Sequence, residues 1–246
     1  MARTMKWDLV GDKVYETGTD HAVLFPYDST NKAYGAGVAW NGITGFTDSP
    51  SGADETSLYA DNLKYVSIRA AEEYGGTITA YTYPDEFAEC DGSYAMNGVA
   101  VGQQKRKSFG FSVRTLVGND TELNDYGYKI HLVYGASVSP SDKDYGTVNE
   151  SPDAIEFSWE FTTTPVEIGT EFKPTSHITI DTTKIDKIED ATAKAKAQAA
   201  LAWLEAQLYG DDAYAEEAGG TTTVVTSNLP APREVLIKFG LIPAQG

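Results

Sequence analysis

The reading of the chain turns on Tyr59 to Asp91, YADNLKYVSIRAAEEYGGTITAYTYPDEFAECD. Val66, Ile68 and Ala70 alternate with Tyr65, Ser67 and Arg69, the period of a half-buried strand. Glu72-Glu73-Tyr74 and Gly75-Gly76 supply a polar tip, where glycine takes a positive φ without penalty. Ile78 and Ala80 alternate with Thr77, Thr79 and Tyr81 on the way back. Pro84 cannot donate to a ladder, so it ends that strand and can open a helical turn at Asp85. The spacing predicts a hairpin that reverses over 72–76, followed by one short helical turn.

The same period recurs along the chain. A strand pair is expected around Val14-Tyr15 and Ala22–Phe25, with Asp20 and His21 near its turn. Residues 26–57 are rich in Gly, Asn, Ser, Thr and Asp and read as long loops around one or two strands. Clear strands follow at 106–117, 128–134, 154–164 and 176–182. The most regular is 154–164: Ile155, Phe157, Trp159 and Phe161 share one face, and Glu156, Ser158, Glu160 and Thr162 the other. About eight to ten strands without βαβ alternation predict a mostly antiparallel fold.

From Asp186 the period changes. An Ala-rich segment with a capping-box-like start and Gly210 beyond its end predicts one long helix over 186–209. The acidic 211–220 stretch reads as a linker, and Pro230 to Phe239 as a short terminal helix. The chain therefore divides into a β domain at 1–210, helix included, and a C-terminal linker with its short helix at 211–246.

The 246 residues hold 19 Lys+Arg against 36 Asp+Glu, a formal charge of −17. Such a surface repels phosphates and has no basic footprint for nucleic acid. One cysteine, Cys90, allows no internal disulfide. MARTMKWDLV has no apolar signal-peptide core, and no apolar run reaches the roughly 20 residues of a membrane span.

Enzymatic signatures are missing. Gly35-Ala36-Gly37 is followed by Trp40 where a dinucleotide fingerprint needs glycine. His21, His131 and His177 are scattered, with no second ligand at metal spacing, so no metal site is expected. Asp120, Glu122, Asn124 and Asp125 carry their glycine out of calcium-loop register. Glu156 and Glu160 would lie roughly 13 Å apart by strand rise, too far for a glycosidase pair. No catalytic residue, metal or cofactor is expected.

Extended segments carry a resemblance. MKWDLVGDKVYETGTDHAVLFPYD, YGAGVAWNGITGFTDSPSGADETSLYADNLKY, YPDEFAECDG, GYKIHLVYG and FSWE are similar to segments of the major tail proteins, or tail-tube proteins, of long non-contractile-tailed bacteriophages of Gram-positive bacteria. The likeness covers about residues 1–182. Its most specific positions are Tyr59, Asp61 and Asn62 before a strand, and Pro84 and Asp85 after the hairpin.

The resemblance implies two packed antiparallel sheets, a β-sandwich or partial barrel, with one flanking α-helix and long loops. It implies a structural virion protein, not an enzyme, without cofactors. Such a protein is assembled in the host cytoplasm into rings, usually of six subunits, that stack into a tube. The partners implied are copies of itself, the tape-measure protein, and the tail terminator and distal tail proteins. Genomic DNA passes through the lumen without specific binding, and no membrane is involved.

An anionic duct suits that traffic, because repulsion acts across the 8–10 Å that salt leaves unscreened. Glu72, Glu73, Glu156 and Glu160 are the lumen-lining candidates, and the loops 46–57 and 135–153 the candidates for ring-to-ring contact. The alternatives are a carbohydrate-binding or adhesive β-sandwich using Tyr81, Tyr83, Tyr94, Trp40 and Trp159, a carboxylate hydrolase, and a baseplate or sheath component of the same fold.

Overall fold

The computed structural model describes residues 5–147, 153–218 and 221–243, with backbone alone over 211–225. The fold is mainly β, built on one long antiparallel sheet bent over itself, with helices against its outside. β1 (Val14–Asp28) is a single strand, not the expected pair. His21 sits at φ +49°, and the register against its neighbour slips between Asp20 and Val23. A bulge thus takes the place of the turn. The short β2 (Ala33–Tyr34) and β3 (Val38–Ala39) both pair back onto β1.

The decisive stretch folds differently from its sequence reading. β4 (Ile43–Asp48), β5 (Ser51–Gly52) and β6 (Glu55–Ala60) run out along one side of a ribbon. β7 (Leu63–Arg69), β8 (Glu72–Glu73) and β9 (Gly75–Ala80) return along the other. Asp48 faces Gly76, Ser51 faces Glu73, Glu55 faces Arg69 and Leu58 faces Val66. Backbone bonds from Ser49 to Gly75, Ala53 to Ala71 and Ala70 to Asp54 close the gaps between the pieces.

The reversal lies at Asp61–Asn62, with φ of +50° and +63°. That is the two-residue turn whose twist matches its strands. Gly75 and Gly76 are strand residues. A Cβ on Gly76 would press into the Thr47 carbonyl and the Phe161 ring, so glycine serves close approach there and not chain reversal.

After Pro84 a 3-10 turn over Asp85–Glu89 drives Phe87 into the interior, and Cys90 follows it. β10 (Tyr94–Met96) and β11 (Val99–Val101) form a small exposed hairpin.

β12 (Phe109–Asn119) falls close to its expected span, while β13 (Leu123–Val138) is longer than 128–134 suggested, because it pairs along almost its whole length. β14 (Phe157–Thr163) and β15 (His177–Asp181) both pair with β13. β13 gives Lys129–Val133 to β15 and Ala136–Val138 to β14. It changes partner at Gly135, where φ is +61° and a Cβ would collide with the Thr164 carbonyl. This glycine is the corner at which the sheet leaves one layer for the other. The order is β2-β1-β12-β13-β14-β9-β4. The β14-β9-β4 end folds back across β1, β12 and β13, giving the two layers of the expected sandwich or partial barrel.

Two cores result. Between the layers lie Leu24, Phe109, Phe111, Ile78, Trp159 and Phe161, with Trp40 and Phe87 wedged among them. Their tilted and edge-on aromatic contacts, such as Trp40–Phe87 at 4.5 Å between centroids, add about 0.5–1.5 kcal/mol each to simple burial. On the other face of β1 and β13, Val23, Phe25, Ile130 and Leu132 pack under Trp203, Leu204 and Leu208. Burial on both faces explains why Ala22–Phe25 is a continuous apolar run.

The helix expected over 186–209 starts five residues later, at Ala191, and a short helix that the sequence reading did not include precedes it. α1 (Thr182–Asp186) is capped by the Asp181 carboxylate, which accepts from Thr183 N at 3.0 Å. α2 (Ala191–Tyr209) is capped by Asp190, which accepts from Ala193 N at 2.6 Å. In place of the expected linker, the backbone of β16 (Asp211–Ala218) pairs with β17 (Thr221–Val225). α3 (Pro232–Lys238) puts Val235 into the second core beside Leu229. The Tyr134 hydroxyl donates to the Pro230 carbonyl at 3.1 Å, so residues beyond the hairpin complete the body of the fold.

Candidate functional site

The distal half of the ribbon is exposed at every residue of β7 and at all of β6 but Ser57. β6 and β7 pair only with each other. From Asp48 to Ala60 the ribbon reaches roughly 40 Å at strand rise. Its two faces differ. Leu58, Val66 and Ile68 lie on one face with Thr56. On the other, the Glu55 carboxylate takes Lys64 at 2.7 Å and Arg69 at 3.5 Å, next to the Ser57–Ser67 pair. Leu58, Tyr59, Leu63, Tyr65, Val66 and Ile68 are all exposed. An isolated two-stranded ribbon is marginal in water, and clustered apolar faces of this kind are used for contact with another protein, a membrane or a ligand.

The sheet also has open edges. β1 from Val14 to Asp20 has β12 on one side and no strand on the other among the described residues. β15 is flanked only by β13, and β4 only by β9. Unpaired edges offer backbone N–H and C=O groups to an incoming strand.

The four lumen candidates do not form one patch. Glu160 lies on the solvent face of β14, with Ser158 and Thr162, and Glu156 lies just before that strand. The Glu156 carboxylate accepts from Thr44 Oγ1, which is 3.0 Å from Thr79 Oγ1. Thr47 and Thr77 face Glu160 across the ladder, so this wall is polar, threonine-rich and carries two carboxylates. Glu72 and Glu73 sit instead on β8, at the root of the arm. Tyr59, Asp61 and Asn62 form the tip of the arm. Pro84 and Asp85 open the 3-10 turn.

Loop 46–57 is the outgoing strand of the ribbon, not a loop. Of loop 135–153, residues 136–138 are strand and 148–152 lie outside the described residues.

The aromatic platform imagined for a carbohydrate site is not assembled. Trp40 and Trp159 are core residues in mutual contact at 5.5 Å, and Tyr83 packs edge-on against Trp159. Cys90 is buried, and burial pushes its thiol up to about 12, which removes it as a nucleophile.

One grouping was not legible in the sequence. Asp48 at the end of β4, His131 on β13 and His177 on β15 bring their ligand atoms within 4.8 Å of one another. The expectation that the histidines stand apart fails for two of the three. His131 Nδ1 lies 3.3 Å from His177 Nε2. Thr115 Oγ1 is 3.0 Å from His131 Nε2, and the Tyr74 hydroxyl donates to Asp48 Oδ1. Tyr74 also stacks on His177 at 4.4 Å. Burial lowers the pKa of both imidazoles, that of His177 to about 4, against the opposing pull of Asp48. Both rings are therefore neutral at pH 7. No short-range sequence pattern could reveal this set, because only the pairing of β13 with β15 and the fold-back of β4 bring it together.

No family model matches the chain, and no curated protein matches it. Among solved structures it is similar to a chain of an extracellular contractile injection system, the PVC sheath–tube complex in its extended state. The identity is 13%, the match covers 65% of this chain and 88% of that one, and the TM-score is 0.31. A likeness that loose carries no argument about what this chain does.

Proposed function

We propose that this chain is a structural, non-enzymatic subunit that polymerises with copies of itself, as the tail-tube protein of a long-tailed phage. Its subunits form rings, usually of six, and the rings stack into a conduit for the genome. The observation that carries the reading is the arm from Ser49 to Gly75, whose apolar face stays exposed in the isolated chain. A copy of the chain is its partner, because the open edges of β1, β4 and β15 supply complementary ladders on the same molecule. A contact between unlike surfaces of identical subunits closes into rings in one direction and extends into filaments in another.

The threonine-rich wall bearing Glu156 and Glu160 is the lumen surface in this reading, and the net charge of −17 keeps DNA from adhering to it. Tape-measure, terminator and distal tail proteins would meet the same tube at its bore and ends. No helix among the described residues is long and apolar enough to cross a membrane.

Negative-stain microscopy of the purified protein over a concentration series tests the proposal. Ring stacks or tubes are the expected result, and single particles at every concentration would refute it. Glu156→Lys with Glu160→Lys should leave tubes assembling, since both side chains are exposed, while slowing DNA release from reconstituted particles. Unchanged release would remove these carboxylates from the lumen.

A further inference from the structure

We infer that Asp48, His131 and His177 form a binding site for a divalent transition-metal ion of the zinc class, which ties the root of the arm to the β13–β15 body. The inference stands apart from the assembly proposal, since every residue in it belongs to one chain.

The geometry argues for it first. Zinc binds imidazole nitrogen at about 2.0–2.1 Å in tetrahedral sites, which sets neighbouring ligand atoms about 3.3–3.4 Å apart. His131 Nδ1 and His177 Nε2 are 3.3 Å apart, the edge length of such a tetrahedron, and the two rings, near-parallel with centroids 5.6 Å apart, need only tilt to bring both lone pairs onto one ion. Asp48 is exposed at the last position of β4, and a carboxylate oxygen lies within 4.8 Å of the two nitrogens. Two histidines and a carboxylate leave a fourth position for water.

The surroundings argue for it second. Metal-binding imidazoles and carboxylates are characteristically held by an outer layer of hydrogen bonds, and one is present here. In the tautomer in which Thr115 Oγ1 accepts from His131 Nε2–H, the Nδ1 lone pair faces His177, whose Nε2 also lies 3.2 Å from Thr179 Oγ1. Tyr74 grips the Asp48 carboxylate from one oxygen and stacks on the His177 ring. One N–H between the two ring nitrogens satisfies this contact, and a bound cation would take the place of that proton.

The site is also reachable. A cleft of about 870 Å³, lined by Arg69, Glu72, Tyr74, Lys173, Ser176 and His177, opens onto His177 from solvent. Mixed nitrogen and oxygen donors disfavour magnesium and calcium, which take six or more oxygens.

Position gives the site its consequence. Asp48 is the last residue before the arm departs, and Tyr74 immediately precedes the strand on which the arm returns. His131 and His177 lie on two strands of the body. A bound ion would fix the direction in which the arm leaves the core.

Isothermal titration of the full-length protein, at a concentration where it is monomeric, with zinc chloride alone in a non-chelating buffer tests the inference. One zinc ion per chain is expected, with no saturable response to magnesium. His177→Gln should weaken binding at least 100-fold, and Asp48→Asn, at an exposed position that leaves the core intact, at least 10-fold. His21→Gln should bind as the wild type does. Absence of a saturable zinc response, or a response that survives both His177→Gln and Asp48→Asn, overturns the proposal. Because the titration is made on monomers, its failure leaves ring formation untouched, and a failure to assemble leaves the titration untouched.

Discussion

Replacing Val66 and Ile68 with serine isolates the contribution of the arm. Leu58, Val66 and Ile68 are 44%, 42% and 55% exposed in the isolated chain. Scaled to whole-residue areas, the two substituted positions present about 170 Å² of mostly apolar surface, or about 4 kcal/mol per contact at 25 cal/mol/Å² if a neighbour covers it fully. That is an upper bound, because association also costs side-chain ordering and imperfect desolvation. A loss of 2–4 kcal/mol per contact corresponds to roughly 30- to 1,000-fold in the association constant.

The isolated chain should be nearly indifferent, with unfolding shifted by less than about 0.5 kcal/mol, since neither side chain packs in the core. Sedimentation velocity across a dilution series reads the assembly midpoint, and urea unfolding of the dilute protein supplies the control. Wild-type assembly by a normally folded double variant would refute the assignment of this face to a subunit contact.

Two further outcomes follow from the body of the fold. Asp20 is held by Arg114 through bonds of 2.6 and 2.7 Å, and the hydrogen bonding of Arg114 keeps its carboxyl pKa below the usual value. Its contribution, about 1 kcal/mol at most for a pair this exposed, is present above about pH 4 and lost as pH falls through the lowered folded value; Asp20→Asn should flatten that part of the stability–pH profile. Gly135→Ala meets both a left-handed φ and the Thr164 carbonyl, and should lower unfolding stability by about 2 kcal/mol or more by urea titration.

The sequence made some parts of this molecule readable and hid others for identifiable reasons. Phe157–Thr163 was plain because one face is core and the other water, so the period of two survives in the residue types. Ala22–Phe25 was harder, since burial on both faces erases alternation. The arm was misplaced because Gly75-Gly76 is a stronger turn signal than Asp61-Asn62. Only the three-dimensional neighbours of Gly76 show that its missing side chain makes room for Thr47 and Phe161. α1 was hidden because Asp186 reads as a helix start, whereas the caps are Asp181 and Asp190 and Asp186 is the last residue of α1. Asp48, His131 and His177 were invisible as a set, since residues on three strands have no common spacing until the sheet is closed.

The ribbon that begins as Asp48 opposite Gly76 and ends at Asp61–Asn62 is paired in three antiparallel segments, with backbone hydrogen bonds across the gaps and one register shift between Leu58 and Tyr59. Tension applied at its tip is therefore shared by two antiparallel strands and delivered together, through β4 and β9, into the β14 side of the sheet. A lever rooted this way moves with the barrel that holds it, so a tilt of one subunit would be delivered to whatever the tip touches.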